Sequence, residues 1–172
     1  MLERGKGLEK RRTQKIAIDG LLVALALVLG YVETLFPVNF AIPGIKLGLT
    51  NIVVLYALMA VGEKDAFVIN VARILITGFL FGNGVSIIYS LAGGMLAYFV
   101  MLFAKELLKL HILTISILGA VFHNLGQIIV AMLLLKSVSV FWYLIVLWFS
   151  GILAGILTGL ISGIIIKRVH NA

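Results

Sequence analysis

Arg73 lies in an apolar run, residues 66–81, with Asn70 and Thr77 on the same helical face at i−3 and i+4. An ionisable group at that depth costs about 3 kcal/mol, so it needs a partner, a cavity or a task. Two readings are open: a structural arginine bonded to backbone carbonyls or Glu33, or a clamp for an anionic or carbonyl-rich ligand. His123, Asn124 and Gln127 form a second polar set in the middle of residues 112–135, with His123 and Gln127 one turn apart. That trio is either glue between helices or, together with Arg73, the lining of a polar pocket; the matching depths favour the pocket.

Glu33, Lys46, Asn51 and Asn83 fall nearer one end of their segments, and Glu33 and Lys46 either snorkel to an interface or join the pocket. Apart from Asn70 and Asp19, the deep polar residues sit at mid-depth or in this same half. A cavity open on that side and closed on the other is the expectation. Asp19, close to the basic N-terminal run, is expected to pair with Lys15 or a neighbouring base. His123 has no second His, Cys or carboxylate at ligand spacing, so no metal site is expected. The sequence contains no Gly-x-Ser-x-Gly, no P-loop and no Asp-Asp-x-x-Asp for magnesium and prenyl diphosphates. No catalysis by this chain is expected, and ATP hydrolysis would belong to another subunit.

The elements that must position these residues are set by composition. Of 172 residues, 62% are hydrophobic and 12% charged, against roughly half and a quarter in a soluble domain. Lipid is the solvent that fits, and the fold class is an all-α integral membrane bundle. Charge, proline and Gly-Asn breaks divide the chain into six spans: residues 16–36, 47–61, 66–81, 85–104, 112–135 and 141–166. A hydrocarbon core about 30 Å thick needs roughly 20 helical residues, so the second and third are short and must lean on loops or sit inside the bundle. The first span is too long for a signal h-region and lacks a small-x-small cleavage site, which makes it an uncleaved helix.

Six spans place both termini on one side. Arg4, Lys6, Lys10, Arg11, Arg12, Lys15, Lys64, Lys105, Lys109, Lys167 and Arg168 then share that side, with only Lys46 and Lys136 opposite. Eleven against two makes the first side cytoplasmic, with residues 1–15 a basic segment and 167–172 a tail. The net charge of +7 is therefore a topology signal, and nucleic acid is not an expected partner. On the outer side, residues 37–46 are apolar for an exposed loop and form a candidate lid over the bundle.

Gly151, Gly155, Gly159 and Gly163 recur every four residues in the last span, beside a row of Ser150, Ala154, Thr158 and Ser162. Such a face lets another backbone approach closely, either within the chain or on a separate membrane subunit. The first span has a weaker version, Gly20-xxx-Ala24 and Ala26-xxx-Gly30, on two different faces.

Three stretches carry a family likeness: Pro43 to Asn51, reading Pro-Gly-Ile-Lys-Leu-Gly-Leu-Thr-Asn; Arg73-Ile74-Leu75 with Gly78 and Phe81-Gly82; and Phe122-His123-Asn124-Leu125-Gly126-Gln127. With the six spans and basic termini, the chain resembles the substrate-binding S components of energy-coupling factor (ECF) transporters. More closely, it is similar to the Gx transporter family, also labelled heptaprenyl diphosphate synthase component I. The likeness runs from Ile16 to Ile166.

This resemblance implies a multi-pass protein of a bacterial cell membrane that captures a vitamin-sized ligand. It would dock on a transmembrane coupling subunit driven by two ATPase subunits. Gly20, Ala24, Ala26 and Gly30 match the positions that offer small residues to the coupling subunit, in an imperfect Ala-xxx-Ala form. The likeness further points to riboflavin or a flavin nucleotide, with Arg73 at a phosphate or ring carbonyl. His123, Asn124 and Gln127 would bond ring or ribityl groups, and Tyr89 or Phe81 would stack. The rival reading is the label itself, a non-catalytic component associated with a prenyl diphosphate synthase.

Overall fold

The computed structural model describes residues 2–35 and 48–171, and every regular element within them is helical. In chain order these are α1, Leu2–Leu35; α2, Leu49–Tyr56, running on into a π-helical turn at Ala57–Val61; α3, Glu63–Phe81; α4, Gly84–Glu106; α5, Ile112–Leu135; a 3-10 turn at Val138–Trp142; and α6, Tyr143–His170. The candidate lid, residues 37–46 with Lys46, lies outside the described residues.

Among the described residues, four stretches are long and apolar enough to cross a bilayer: Arg12–Glu33, Gly84–Glu106, Ile112–Leu135 and Val138–Val169. The chain is a membrane protein built on these four. The two segments expected to be short are helices that do not qualify alone. Leu49–Val61 is too brief, and α3 carries Glu63, Lys64, Asp65 and Arg73. Burial explains how α2 tolerates its length. Ile52, Val53, Val54, Leu55, Ala57 and Leu58 are all buried, and a helix surrounded by others has no need to match lipid thickness. The basic segment expected over 1–15 is helical from Leu2 and opens α1. Lys, Arg, Glu and Gln, which dominate that segment, are good helix formers.

Short connections fold the helices back on one another. The N-termini of α3 and α5, the C-terminal ends of α4 and α6 and the basic part of α1 gather at one end. Lys15 Nζ meets Asp65 Oδ1 at 2.9 Å, Lys105 Nζ meets Glu63 Oε1 at 3.7 Å, and the Tyr98 hydroxyl donates to the Glu63 carbonyl at 2.9 Å. Asp65 takes the direct ion pair with Lys15, while Asp19, expected to pair with Lys15 or a neighbouring base, acts on Lys15 from beyond ion-pair distance. The main apolar core fills this basic half, with Leu22 and Ala26 of α1, Val53 to Leu58 of α2, Ile69 of α3, Tyr98 and Met101 of α4, and Ile115 of α5. A smaller cluster, Ile128, Leu144 and Leu147, joins α5 to α6 at the other end. Apolar side chains such as Leu21 and Phe79 point outward, 70% and 79% exposed, as lipid-facing residues do.

The glycine row of α6 packs within the chain. A Cβ on Gly155 would stand 2.5 Å from the Ile117 Cα of α5, and one on Gly159 would stand 2.9 Å from the Ser116 Cβ. Beside this seam the hydroxyls of Ser116 and Thr158 lie 2.8 Å apart, and Ser162 donates to the Ile52 carbonyl at 3.4 Å. Gly163 is looser, with its nearest neighbour at 3.8 Å. A second close crossing joins α4 to α5, where a Cβ on Gly126 would come within 2.8 Å of the Gly93 Cα.

Candidate functional site

Arg73 stands mid-way along α3 and is buried, only 8% exposed. The start of α2 and the preceding turn of α3 surround its guanidinium with neutral oxygens. Nη1 donates to Thr50 Oγ1 at 2.8 Å, and Nη2 donates to Asn51 Oδ1 at 3.2 Å and Asn70 Oδ1 at 2.9 Å. Nε also donates to Asn70 Oδ1, at 3.2 Å. Asn70 is fixed in turn, because its Nδ2 donates to the Gly94 carbonyl of α4 at 3.0 Å. These contacts fill four of the five N–H groups an arginine owns and leave one Nη1 hydrogen over. Among the described residues no carboxylate lies within ion-pair distance of Arg73. The cluster therefore orients the guanidinium through neutral oxygens, with Glu33 of α1 acting on it from beyond ion-pair distance.

Two further predicted residues border this cluster. Thr77 and Thr50 both touch Gly30 of α1, whose missing Cβ would sit 3.2 Å from Thr50 Cγ2 and 3.9 Å from Thr77 Oγ1. Glu33, one turn further along α1, accepts the Gly48 N–H on Oε1 at 2.6 Å. That bond ties the end of α1 to the residue preceding α2, where Gly48 adopts a left-handed φ of 72° that glycine takes without strain. Glu33, Asn51, Arg73 and Thr77 thus come together, with Thr50 and Asn70 as members that the predicted site lacked.

The His123 set approaches α4 from another side. A Cβ on Gly93 would meet Gln127 Cγ at 3.0 Å and His123 Nε2 at 3.1 Å, while a Cβ on its neighbour Gly94 would meet Asn70 Nδ2 at 3.4 Å. Both polar sets therefore press on adjacent residues of α4, at one level of the bundle. The glycine pair is what lets them in. Tyr89 is half-buried on the Gly93 face, one turn away. Asn124 points elsewhere: its Nδ2 donates to the Leu147 carbonyl at 2.6 Å and lies beside Gly151, so it bonds α5 to α6.

Asn83 stands apart as the N-cap of α4. Its Oδ1 accepts the Ser86 N–H at 2.8 Å, while Ser86 Oγ accepts the Asn83 N–H at 2.9 Å, a reciprocal capping box on an exposed turn. Phe81 stacks obliquely on Tyr31, ring centroids 5.5 Å apart. Of the four positions matched to partner docking, Ala26 and Gly30 are buried against the bundle. Gly20 and Ala24 face outward, with nothing within 4 Å of the Cβ position on Gly20.

A family model described as heptaprenyl diphosphate synthase component I matches residues 22–165. The chain belongs to that family. The match takes in all three stretches on which the resemblance was read, so the family label named from sequence stands. No curated protein and no solved structure matches the chain. Within this family member, the elements that build the Arg73 cluster, from the second half of α1 to the middle of α4, all fall inside the matched region.

Proposed function

We propose that the chain is the substrate-binding membrane subunit, the S component, of an ECF transporter, with a vitamin-sized ligand and riboflavin or a flavin nucleotide as first candidate. One observation carries this reading: a buried, pre-oriented Arg73 that no described carboxylate pairs. A charge kept in lipid at this energetic cost suits a ligand that brings phosphate or carbonyl oxygens to it. The basic half beyond Arg73 is filled by the main core, which supports entry from the opposite end. His123, Gln127 and Tyr89 at the same level would meet the remaining polar and aromatic parts of the ligand.

In this reading the basic end is cytoplasmic, all six helices serve the membrane domain, and both termini share the cytoplasmic side. Gly20 and Ala24 then offer an outward small-residue strip to a coupling subunit, which two ATPase subunits drive. The protein performs no chemistry. Calorimetry on the purified full chain tests the ligand: riboflavin or its phosphate should bind, and Arg73→Gln should weaken binding at least about tenfold. Tight binding of a different vitamin with no heat from either flavin would remove the flavin assignment.

A second reading is favoured by the family description, a component of heptaprenyl diphosphate synthase. The chain lacks Asp-Asp-x-x-Asp, so it would act as a non-catalytic membrane partner of a synthase. Co-purification separates the two readings. A coupling subunit with ATPases supports transport, whereas a soluble prenyl synthase supports the partner role.

A further inference from the structure

The basic end of the bundle holds a concavity apart from the Arg73 cluster. An open cleft of about 660 Å³ lies between the end of α2, the α4–α5 turn and the last turns of α6. Lys109, His111 and Lys167 line it together with apolar Met59, Ile112 and Ile166, and among the described residues no Asp or Glu lines it. The acids nearby are held in closer pairs: Glu63 and Glu106 meet Lys105, and Asp65 meets Lys15, with Lys109 acting on Glu106 only from beyond ion-pair distance. Among the described residues no acid stands within ion-pair distance of Lys109 or Lys167.

Local structure brings these bases to one rim. Lys109 takes a left-handed φ of 49° that reverses the chain after α4, and His111 two residues on caps α5. His111 Nδ1 accepts the Leu113 N–H at 3.3 Å, which leaves Nε2 as the ring's donor nitrogen. The positive end of the α5 dipole adds to the field. Beside the cleft, Leu107 and Leu108 of the same turn are 68% and 51% exposed, an apolar surface that water does not suit.

Bases above and hydrocarbon below, at the ends of membrane-crossing helices, match an amphiphile with a phosphate head. Basic pockets between helices at a membrane surface bind anionic headgroups through such point charges. We propose that this cleft binds the phosphate headgroup of an anionic membrane lipid, with Lys109, Lys167 and His111 as donors. An acyl chain would lie along Met59, Ile112 and Ile166.

The test is native mass spectrometry of the full chain in detergent, titrated with phosphatidylglycerol or phosphatidylcholine of identical acyl chains. The anionic lipid should bind about tenfold more tightly, and Lys109→Gln combined with Lys167→Gln should abolish that preference. Both lysines are exposed, so the double variant should keep its helical circular dichroism. Arg168→Gln, an exposed charge on α6 outside the cleft, should leave the preference intact. Equal binding of the two lipids overturns the proposal, as does an equal loss in Arg168→Gln. Displacement of the lipid by millimolar inorganic phosphate also overturns it, because the ligand would then be a soluble phosphate compound.

Discussion

At mid-depth the α5–α6 seam uses its polar side chains to close helix on helix, whereas the Arg73 cluster uses them to hold a charge. On the seam, Asn124 donates to a backbone carbonyl, Ser116 meets Thr158, and glycines let the backbones touch. Every polar group named there answers another within the chain. Around Arg73, Thr50, Asn51 and Asn70 supply neutral acceptors, and Glu33 acts on the charge only from beyond ion-pair distance. Small and polar residues at similar depth thus serve packing in one region and a candidate site in the other. What separates them is whether the chain itself completes the electrostatics.

The largest expected effect falls on the seam. Gly155→Val would drive a side chain into the Ile117 backbone, which cannot give way as a flexible side chain would, and should lower stability by about 3 kcal/mol. Thermal unfolding in detergent reads this, and an unchanged midpoint would mean that α5 and α6 are not in close contact. Arg73→Ala comes next, removing the common donor to Thr50, Asn51 and Asn70 at about 1–3 kcal/mol, with ligand capture lost and membrane insertion kept. Arg73→Lys sharpens the contrast. It keeps the charge but loses the planar fork, so ligand binding should fall between wild type and alanine.

Asn124→Leu should cost about 1 kcal/mol of stability through the lost bond to Leu147 and leave ligand affinity unchanged. A large loss of affinity in that variant would move Asn124 into the site. The smallest expected effect is at Gly20→Leu, where nothing lies within 4 Å. Stability should change by less than about 0.5 kcal/mol while co-purification of a coupling subunit fails.

The contrast also explains what could be read from sequence. The helical segments and the glycine row of α6 were legible because hydrophobic length and four-residue spacing are properties of the chain alone. The partner of that row was not. Ile117 and Leu113 carry no mark of being its groove, and only the fold places them there. Arg73 was conspicuous because charge is rare in such a helix. Thr50 carries no such mark, since a hydroxyl at a helix start reads as an ordinary capping residue. The Gly93–Gly94 pair does carry a sequence signal, since two glycines inside an apolar span are a sign of close approach by neighbours. Asn83 shows the reverse case: Asn-x-x-Ser before an apolar run carried a capping signature that explains the residue without a ligand.

The central claim is that Arg73 is held ready for an incoming ligand, and the most direct measurement is the shift in unfolding temperature that flavin mononucleotide produces. In detergent-purified wild type, saturating nucleotide should raise the midpoint by several degrees, roughly what 2–3 kcal/mol of linked binding gives. Arg73→Gln, folded but without the guanidinium, should show no shift. An equal shift in both proteins would contradict the account and return Arg73 to a purely structural place in the bundle.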